Sequence, residues 1–437
     1  MYDQIRRFKV GKSPADINRA LQSLVRDAYR CVPLYRRLMN ANAVAPKDVR
    51  TARDLERLPI VSKQDLYRSE STEEVLHCRS RQSRLVRVRT SGSSGYPFPV
   101  YMSKIEAHYR RLLLLLAWKS VARLSFPFTV VELVAGTNSE DGLEIRKWGP
   151  ITILHVYAGL PAPQQVQMLD GVRPQLLTGP PTALEIFTAA LEESSTPLSP
   201  RHVVTRGEIL YPNVRRKIEA AMQCRVSDFY NSEEIGNIAW ECPENPRKLH
   251  LNTDACIIEI VDEDGLPAPQ GSEGRVLVTN LYNRSMPFLR YELGDRATLL
   301  SAEPTPCSCG SRKPCLSTVS GRADDFLHLP DGRRLSPRVV AISLVKALSS
   351  DSILRSPSDL SSQGFQVIQD AVDHVIVRII SEQGSELDYE SIIGPAMKKL
   401  HPALRCNVVL VDELELLPSG KFKKVISRIP DGEATGP

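Results

Sequence analysis

The sequence has no apolar run that could span a bilayer. The longest, Leu112–Trp118, is closed by Arg111 and Lys119, far short of the ~20 residues a spanning helix needs. The opening "MYDQIRRFKVGKSP" lacks an apolar signal core, so a cytoplasmic setting without membrane attachment is expected. Cysteine is sparse and odd in number, nine in 437 residues. That excludes a disulfide scaffold and fits a reducing compartment. A large excess of one charge is also missing: 56 basic against 51 acidic residues leave +5. Much of the excess sits in "RSRQSRLVRVR", Arg79–Arg89. With no reader motif beside it, it reads as a solvated face, and no nucleic-acid partner is expected. The histidines His77, His108, His155, His202, His328, His374 and His401 are scattered, and no nucleophile–base pairing of a hydrolase triad is visible among them. The low-hydrophobicity, high-charge balance of disordered chains is absent too, at 42% hydrophobic and 24% charged. The chain should fold, in two or three domains.

What is present alternates between strands and helices. "SPADINRALQSLVRDAYRC" carries apolar residues at helical spacing behind Ser13-Pro14, and Ser62-x-x-Asp65 resembles a capping box. "SRLVRVR" and "FPVYMS" read as strands on either side of "TSGSSG", and "KIEAHYRRLLLLLAWKSVA" as a long helix. Between about 126 and 235, "FTVVELVAG", "ITILHVYAG" and "QLLTGPP" alternate with helices such as "PTALEIFTAALEES", which argues an α/β sheet with helices packed on it. From 249 to 300 the texture is that of a β-meander, with "EDG" and "SEG" as expected hairpin turns. A smaller α/β module follows "GRADDF". The expectation is an α/β protein: a large N-terminal domain with mixed sheets and a meander, residues 1–323, and a small mobile C-terminal α/β domain, residues 324–437.

The stretch Thr90–Gly95 has hydroxyls and glycines that could wrap phosphate oxygens, or it is a linker. It matches neither the Walker loop nor G-x-G-x-x-G, because no lysine follows Gly95. Four further short motifs follow in order. "FYNSEEIG" holds Tyr230, Asn231, Ser232 and Glu233. "RYELGDRA" puts Asp295 in an expected glycine turn. "SGRADD" holds Arg322 and Asp324, and "LPSGKFKKV" offers Lys421, Lys423 and Lys424. In this order they resemble the adenylate-forming superfamily of acyl- and aryl-CoA ligases, in its phenylacetate-CoA ligase-like branch. "CVPLYRRLM", "LERLPIVSKQDL", "RGEILYPNVRRKIEA" and the "CSCG" before "GRADD" add to the resemblance, which covers nearly the whole chain.

The resemblance implies a role for each. Thr90, Ser91, Gly92, Ser93, Ser94 and Gly95 would hold the β- and γ-phosphates of ATP. Glu233 would help hold Mg²⁺. Gly207 and Glu208 would line the adenine site, and Tyr230, Asn231 and Ser232 would lie beside the nucleotide and acyl group. Asp295 would bind the ribose hydroxyls, with Arg322 in support. Asp324 would be the hinge. Lys421, preferred over its neighbours because it follows Gly420, would reach the carboxylate and α-phosphate. Tyr157, Ala158, Gly159 and Tyr230 would shape the acid pocket, with His155 either facing it or a core histidine. The implied activity is ATP-dependent activation of an aryl carboxylic acid and transfer to coenzyme A. The open alternatives are an adenylating enzyme with another acceptor (an amine, a carrier-protein thiol, a nucleotidyl group) and a degenerate binding protein. The partners would be the acid, ATP and coenzyme A, with a homodimer left open. Two departures stand out: Phe98 follows Pro97 where many relatives have lysine, and Arg206 precedes Gly207-Glu208 where the branch has glycine.

Cys307-x-Cys309, with Cys242 and His250 from "ECPENPRKLHL", would complete a Cys₃His set of the kind structural zinc takes. Cys315 could compete as a ligand, and both fragments are expected in irregular loops. Cys31, Cys78, Cys224, Cys256 and Cys406 read as core residues.

Overall fold

The computed structural model describes residues 11–67, 72–89, 99–134, 141–301, 306–317, 319–322, 326–335, 337–350, 365–380, 388–415 and 423–429. Contacts divide the chain into two units, Met1–Arg123 with Phe229–Val319, and Leu124–Asp228 with Ser320–Pro437. The boundary expected at 323/324 falls just inside the second unit's C-terminal stretch. The α/β class expected from the sequence is the one found.

In the first unit, the helix Pro14–Cys31 starts where the sequence placed it. Ser13 accepts from the Asp16 N–H and Asp16 reaches back, a full capping box, of which such a cap contributes about 1 kcal/mol. Its buried face is Leu21, Leu24, Val25 and Ala28. The helix Lys104–Ala122 is capped in the same way by Ser103 and Glu106, and it buries Tyr109, Leu113 and Trp118. The apolar run of the sequence therefore belongs to a core helix. The strands Val86–Arg89 and Pro99–Met102, which flank residues 90–98, pair antiparallel. The meander is also there: Cys256–Val261 pairs with Glu273–Asn280, and that strand with Tyr291–Ser301, all antiparallel.

One expected turn differs. "EDG" does turn, with Gly265 at φ +80° and Asp262 accepting from the Asp264 and Leu266 N–H groups. "SEG" does not. Glu273 and Gly274 already belong to a strand, and a Cβ on Gly274 would lie 2.4 Å from the Val261 carbonyl oxygen. That glycine serves a close approach of strands, and the turn falls one step earlier, at Gly271 with φ +83°.

In the second unit, Phe128–Val134 lies between two parallel neighbours, Ile151–Tyr157 and Leu176–Gly179. His202–Arg206 continues the parallel order beyond Leu176–Gly179. Leu143–Trp148, which the alternation did not reveal, adds an antiparallel edge on Ile151–Tyr157. One face of these strands packs into a core with the helices Pro181–Glu192 and Pro212–Met222 through Val131, Leu177, Phe187 and Ile218. The same core takes in Leu344, Val367 and Met397 from the C-terminal stretch. There Phe365–Ala371 pairs antiparallel with His374–Ile380 and parallel with Val425–Ser427. Among the described residues no helix is long and apolar enough to cross a membrane.

Candidate active site

The expected site residues fall in both units, and each group is described within its own. Thr90, Ser91, Gly92, Ser93, Ser94, Gly95, Asp324 and Lys421 lie outside the described residues, and Arg322 is described only as backbone.

In the first unit, Tyr230 and Asp295 meet. The phenol donates to Asp295 Oδ2 at 2.6 Å, across 65 residues of sequence. Two irregularities aim them. The pairing of Arg225–Ser232 slips between Tyr230 and Asn231. The pairing of Tyr291–Ser301 slips as well: Glu292 and Arg296 both stay paired, but in different registers, and Gly294, at φ +79°, lies between them. A bulge re-aims the side chains beside it. Asp295 is therefore on a bulged strand rather than in the expected turn. Asn231 Oδ1 is buried without a partner among the described residues. A buried orphan acceptor is costly, and its place beside Tyr230 suits a ligand's donor.

Ser232 Oγ accepts from the Ile235 N–H at 3.2 Å and so closes the local turn. The Glu233 carboxylate is held by Arg110, whose Nη2 lies 3.0 Å from Oε2 while Nη1 donates to the Glu233 carbonyl at 2.7 Å. The carboxylate is 43% exposed, so it has room for a hard cation beside the arginine. Arg110 escaped the sequence reading, because nothing marks it among the basic residues of its helix. The residue that admits it is Gly236, at φ +84°, where a Cβ would come within 3.0 Å of the Arg110 side chain.

In the second unit, Gly207 has φ +83° and open space where a Cβ would be. Glu208 Oε2 accepts from the Thr182 N–H at 3.2 Å. That is the start of helix Pro181–Glu192, whose Pro180 offers no side-chain cap, so a carboxylate there satisfies an open amide and faces the positive end of the helix. Arg206 explains its departure from the branch pattern. It donates to Glu132, which also faces His155 Nε2 at 3.3 Å. These side chains and Thr178, whose buried hydroxyl has no partner among the described residues, sit on neighbouring parallel strands. His155 is thus tied to a carboxylate on the sheet face opposite the apolar core. The Tyr157 ring lies over Gly159, where a Cβ would be 2.5 Å from Cζ, and the Ala158 N–H donates to the Val134 carbonyl at 2.8 Å. One Ser–His pair does appear, His202 with Ser227 at 2.9 Å. Both are buried, and burial drives the imidazole pKa down to about 4, so the pair is structural.

Of the C-terminal lysines, Lys424 is buried, with its amine 5.2 Å from the Tyr211 ring centroid and 4.1 Å from that of Phe365. Burial lowers its pKa to about 8, against the attraction of Glu185. In the arrangement seen here that amine is enclosed by the protein.

The cysteine cluster of the first unit is assembled. Donor atoms of Cys242, His250, Cys307 and Cys309 all lie within 4.8 Å of one another. Cys242 Sγ is 3.6 Å from Cys307 Sγ, and His250 Nε2 is 3.2 Å from Cys309 Sγ. Cys242 and His250 stand on paired strands rather than in loops. Cys315 Sγ contacts the other ring nitrogen, His250 Nδ1, at 3.1 Å. It orients the histidine rather than competing for a metal. Burial lowers the His250 pKa, which favours the neutral, ligating imidazole. Three thiols and one imidazole at this closeness fit tetrahedral zinc.

No family model matches the chain. It is 28% identical over 319 residues to the phenylacetate-coenzyme A ligase of Thermus thermophilus, covering 70% of this chain and 69% of that one. It is 26% identical over 452 residues to the phenylacetate-coenzyme A ligase of Aromatoleum evansii, covering 96% and 97%. In fold it is similar to a 2-hydroxyisobutyryl-CoA ligase in the postadenylation state with R3-HIB-AMP, at TM-score 0.75 and 18% identity, over 97% of this chain and 91% of that one. The fold is that of the adenylate-forming CoA ligases. By sequence the chain is similar to phenylacetate-coenzyme A ligases.

Proposed function

We propose that the chain activates a carboxylic acid with ATP as an acyl-adenylate and transfers the acyl group to coenzyme A, releasing AMP and diphosphate. The observation that carries this reading is the Tyr230–Asp295 hydrogen bond of 2.6 Å beside the Asn231 acceptor, which has no partner among the described residues. Two bulged strands converge to fix a carboxylate where ribose hydroxyls would donate to it. The likeness to phenylacetate-CoA ligases supports an aromatic acid, with Tyr157, Ala158, Gly159 and Tyr230 shaping its pocket.

Attack of a carboxylate on the α-phosphorus joins two anions, so positive charge must be supplied there. Magnesium, when bound, offsets that charge, and Glu233 would hold it. Lys421 brings a compact cation on a flexible stem to the carboxylate and α-phosphate. The loop Thr90–Gly95 would take the departing diphosphate through hydroxyls and amides, and Gly207 would leave the adenine room. A turn of residues 324–437 about Asp324 would then withdraw Lys421 and admit the thiol, which attacks the activated carbonyl as AMP leaves. Zinc at Cys242, His250, Cys307 and Cys309 would be a structural staple. All nine cysteines are free, which supports a reducing, cytoplasmic setting.

Diphosphate–ATP exchange measured with a panel of aryl and short-chain acids tests the reading, followed by thioester formation on adding coenzyme A. We expect acid-dependent exchange without coenzyme A, its loss in Lys421→Ala, and a thioester with it. Exchange without any thioester would move the proposal to another acceptor. Exchange intact in Lys421→Ala would overturn the lysine's role.

A further inference from the structure

Cys31 and Cys78 do not belong to the core. Cys78 is exposed and Cys31 half-buried, and with His77 they bring three donor atoms within 4.8 Å of one another. We infer that Cys31, His77 and Cys78 form a second metal site, a three-ligand Cys₂His centre for zinc or a cation of similar softness, with its fourth position open to solvent.

The backbone already holds the three residues in place. Cys31 ends the helix Pro14–Cys31, and its carbonyl accepts from the Cys78 N–H at 2.8 Å. The His77 N–H donates to the Ser285 carbonyl at 2.9 Å. Ser285 in turn donates to the buried Glu106 at 2.6 Å. Two sequence-distant segments are therefore joined at the point where their side chains converge. In tetrahedral zinc, Zn–S of ~2.3 Å and Zn–N of ~2.0 Å set donors roughly 3.5–3.8 Å apart. Reaching that from the observed spread takes a side-chain shift of about 1 Å, and exposed Cys78 has the freedom for it.

The chemistry of the donors agrees. His77 Nδ1 accepts from the Arg79 N–H at 3.2 Å, a long hydrogen bond that the ring gives up when the Nδ1 lone pair turns to the metal. Binding takes both thiol protons into solvent: Zn²⁺ and two thiols give a neutral zinc dithiolate and two protons. No electrons move, so no oxidant is required. The exposed side at Cys78 leaves the fourth position to water, unlike the closed four-ligand cluster at Cys242, His250, Cys307 and Cys309.

Elemental analysis of the full chain, purified under reducing conditions with zinc and then desalted, tests the site. The comparison set is Cys78→Ser, His77→Ala, Cys309→Ser and the Cys78→Ser/Cys309→Ser double variant. We expect Cys78→Ser to lose about one equivalent of zinc per chain and to keep the parent's melting temperature within about a degree or two. The same loss should occur in the Cys309→Ser background, which separates it from the other cluster. Co²⁺ titrated into Cys309→Ser should develop thiolate-to-cobalt charge-transfer absorption that Cys78→Ser/Cys309→Ser lacks. Unchanged zinc content in Cys78→Ser, or no cobalt–thiolate band in Cys309→Ser, overturns the site. A Cys31–Cys78 disulfide that forms in the reduced, zinc-supplied protein, seen as the loss of two hydrogens by mass spectrometry, overturns it in favour of a redox pair.

Discussion

Tyr230 and Asp295 carry the sharpest consequences of a single side chain. Tyr230→Phe removes one hydrogen bond to a carboxylate and leaves the ring in place. A loss of about 1 kcal/mol is expected, read as a roughly fivefold rise in KM for ATP with kcat little changed. Asp295→Ala removes the proposed ribose acceptor itself and should cost more, about 10- to 100-fold in kcat/KM for ATP. Steady-state kinetics at saturating acid measures both. If Asp295→Ala leaves KM for ATP unchanged, the ribose role is wrong. Both residues are singled out in the sequence by their motifs. Their convergence is not, since it depends on two slips of strand register and on Gly294 at φ +79°. Arg110 and the pair Glu132–Arg206 were invisible for a plainer reason: single charged residues on a helix or strand look the same whether they meet a partner or water.

At the scale of elements, the short strand Val425–Ser427 seats Lys424 in a buried niche lined by Tyr211 and Phe365. A buried lysine prefers to be neutral, and its folded pKa of about 8 lies below the ordinary 10.5. The folded state therefore carries a penalty that is full below pH 8. The unfolded chain binds the extra proton between pH 8 and 10.5, so stability from this residue rises across that window. Lys424→Met fills the same space without the charge. It should stabilise the protein by about 1–3 kcal/mol at pH 7 and flatten that rise, as followed by melting temperature against pH. A variant that is less stable than its parent at pH 7 would show that the Glu185 attraction outweighs burial. The sequence showed three lysines in this segment and could not rank their burial, because only the pairing with Phe365–Ala371 places Lys424 inside. Periodicity did give the helices and most strands. It missed Leu143–Trp148, an edge strand of mixed polarity whose alternation is blurred by Glu144, Arg146 and Lys147.

At the scale of the whole molecule, the cysteine cluster ties the loop at 307–309 to two strands of the first unit. Cys309→Ser should abolish zinc binding there and lower the melting temperature by several degrees, while a chelator should do the same to the parent protein. Cys315→Ala should keep the stoichiometry and weaken affinity by about 10- to 100-fold, as loss of a residue that orients a ligating histidine does. Competition with a chromophoric chelator distinguishes the two. An affinity of Cys315→Ala equal to the parent's would remove Cys315 from the site.

The niche of Lys424 reaches beyond stability. Its walls come from both stretches of the second unit: Tyr211 from 124–228 and Phe365 from 320–437. If residues 324–437 turn as proposed, Phe365 moves with Lys424 while Tyr211 and Glu185 stay behind, so the amine gains water on that side and holds its proton more firmly. The motion would then be a proton-coupled equilibrium, with the seated arrangement gaining population as the solution becomes more alkaline. If adenylation and thioester transfer take opposite positions of Lys421 as proposed, the two steps would answer to pH in opposite directions even though neither uses Lys424 in its chemistry.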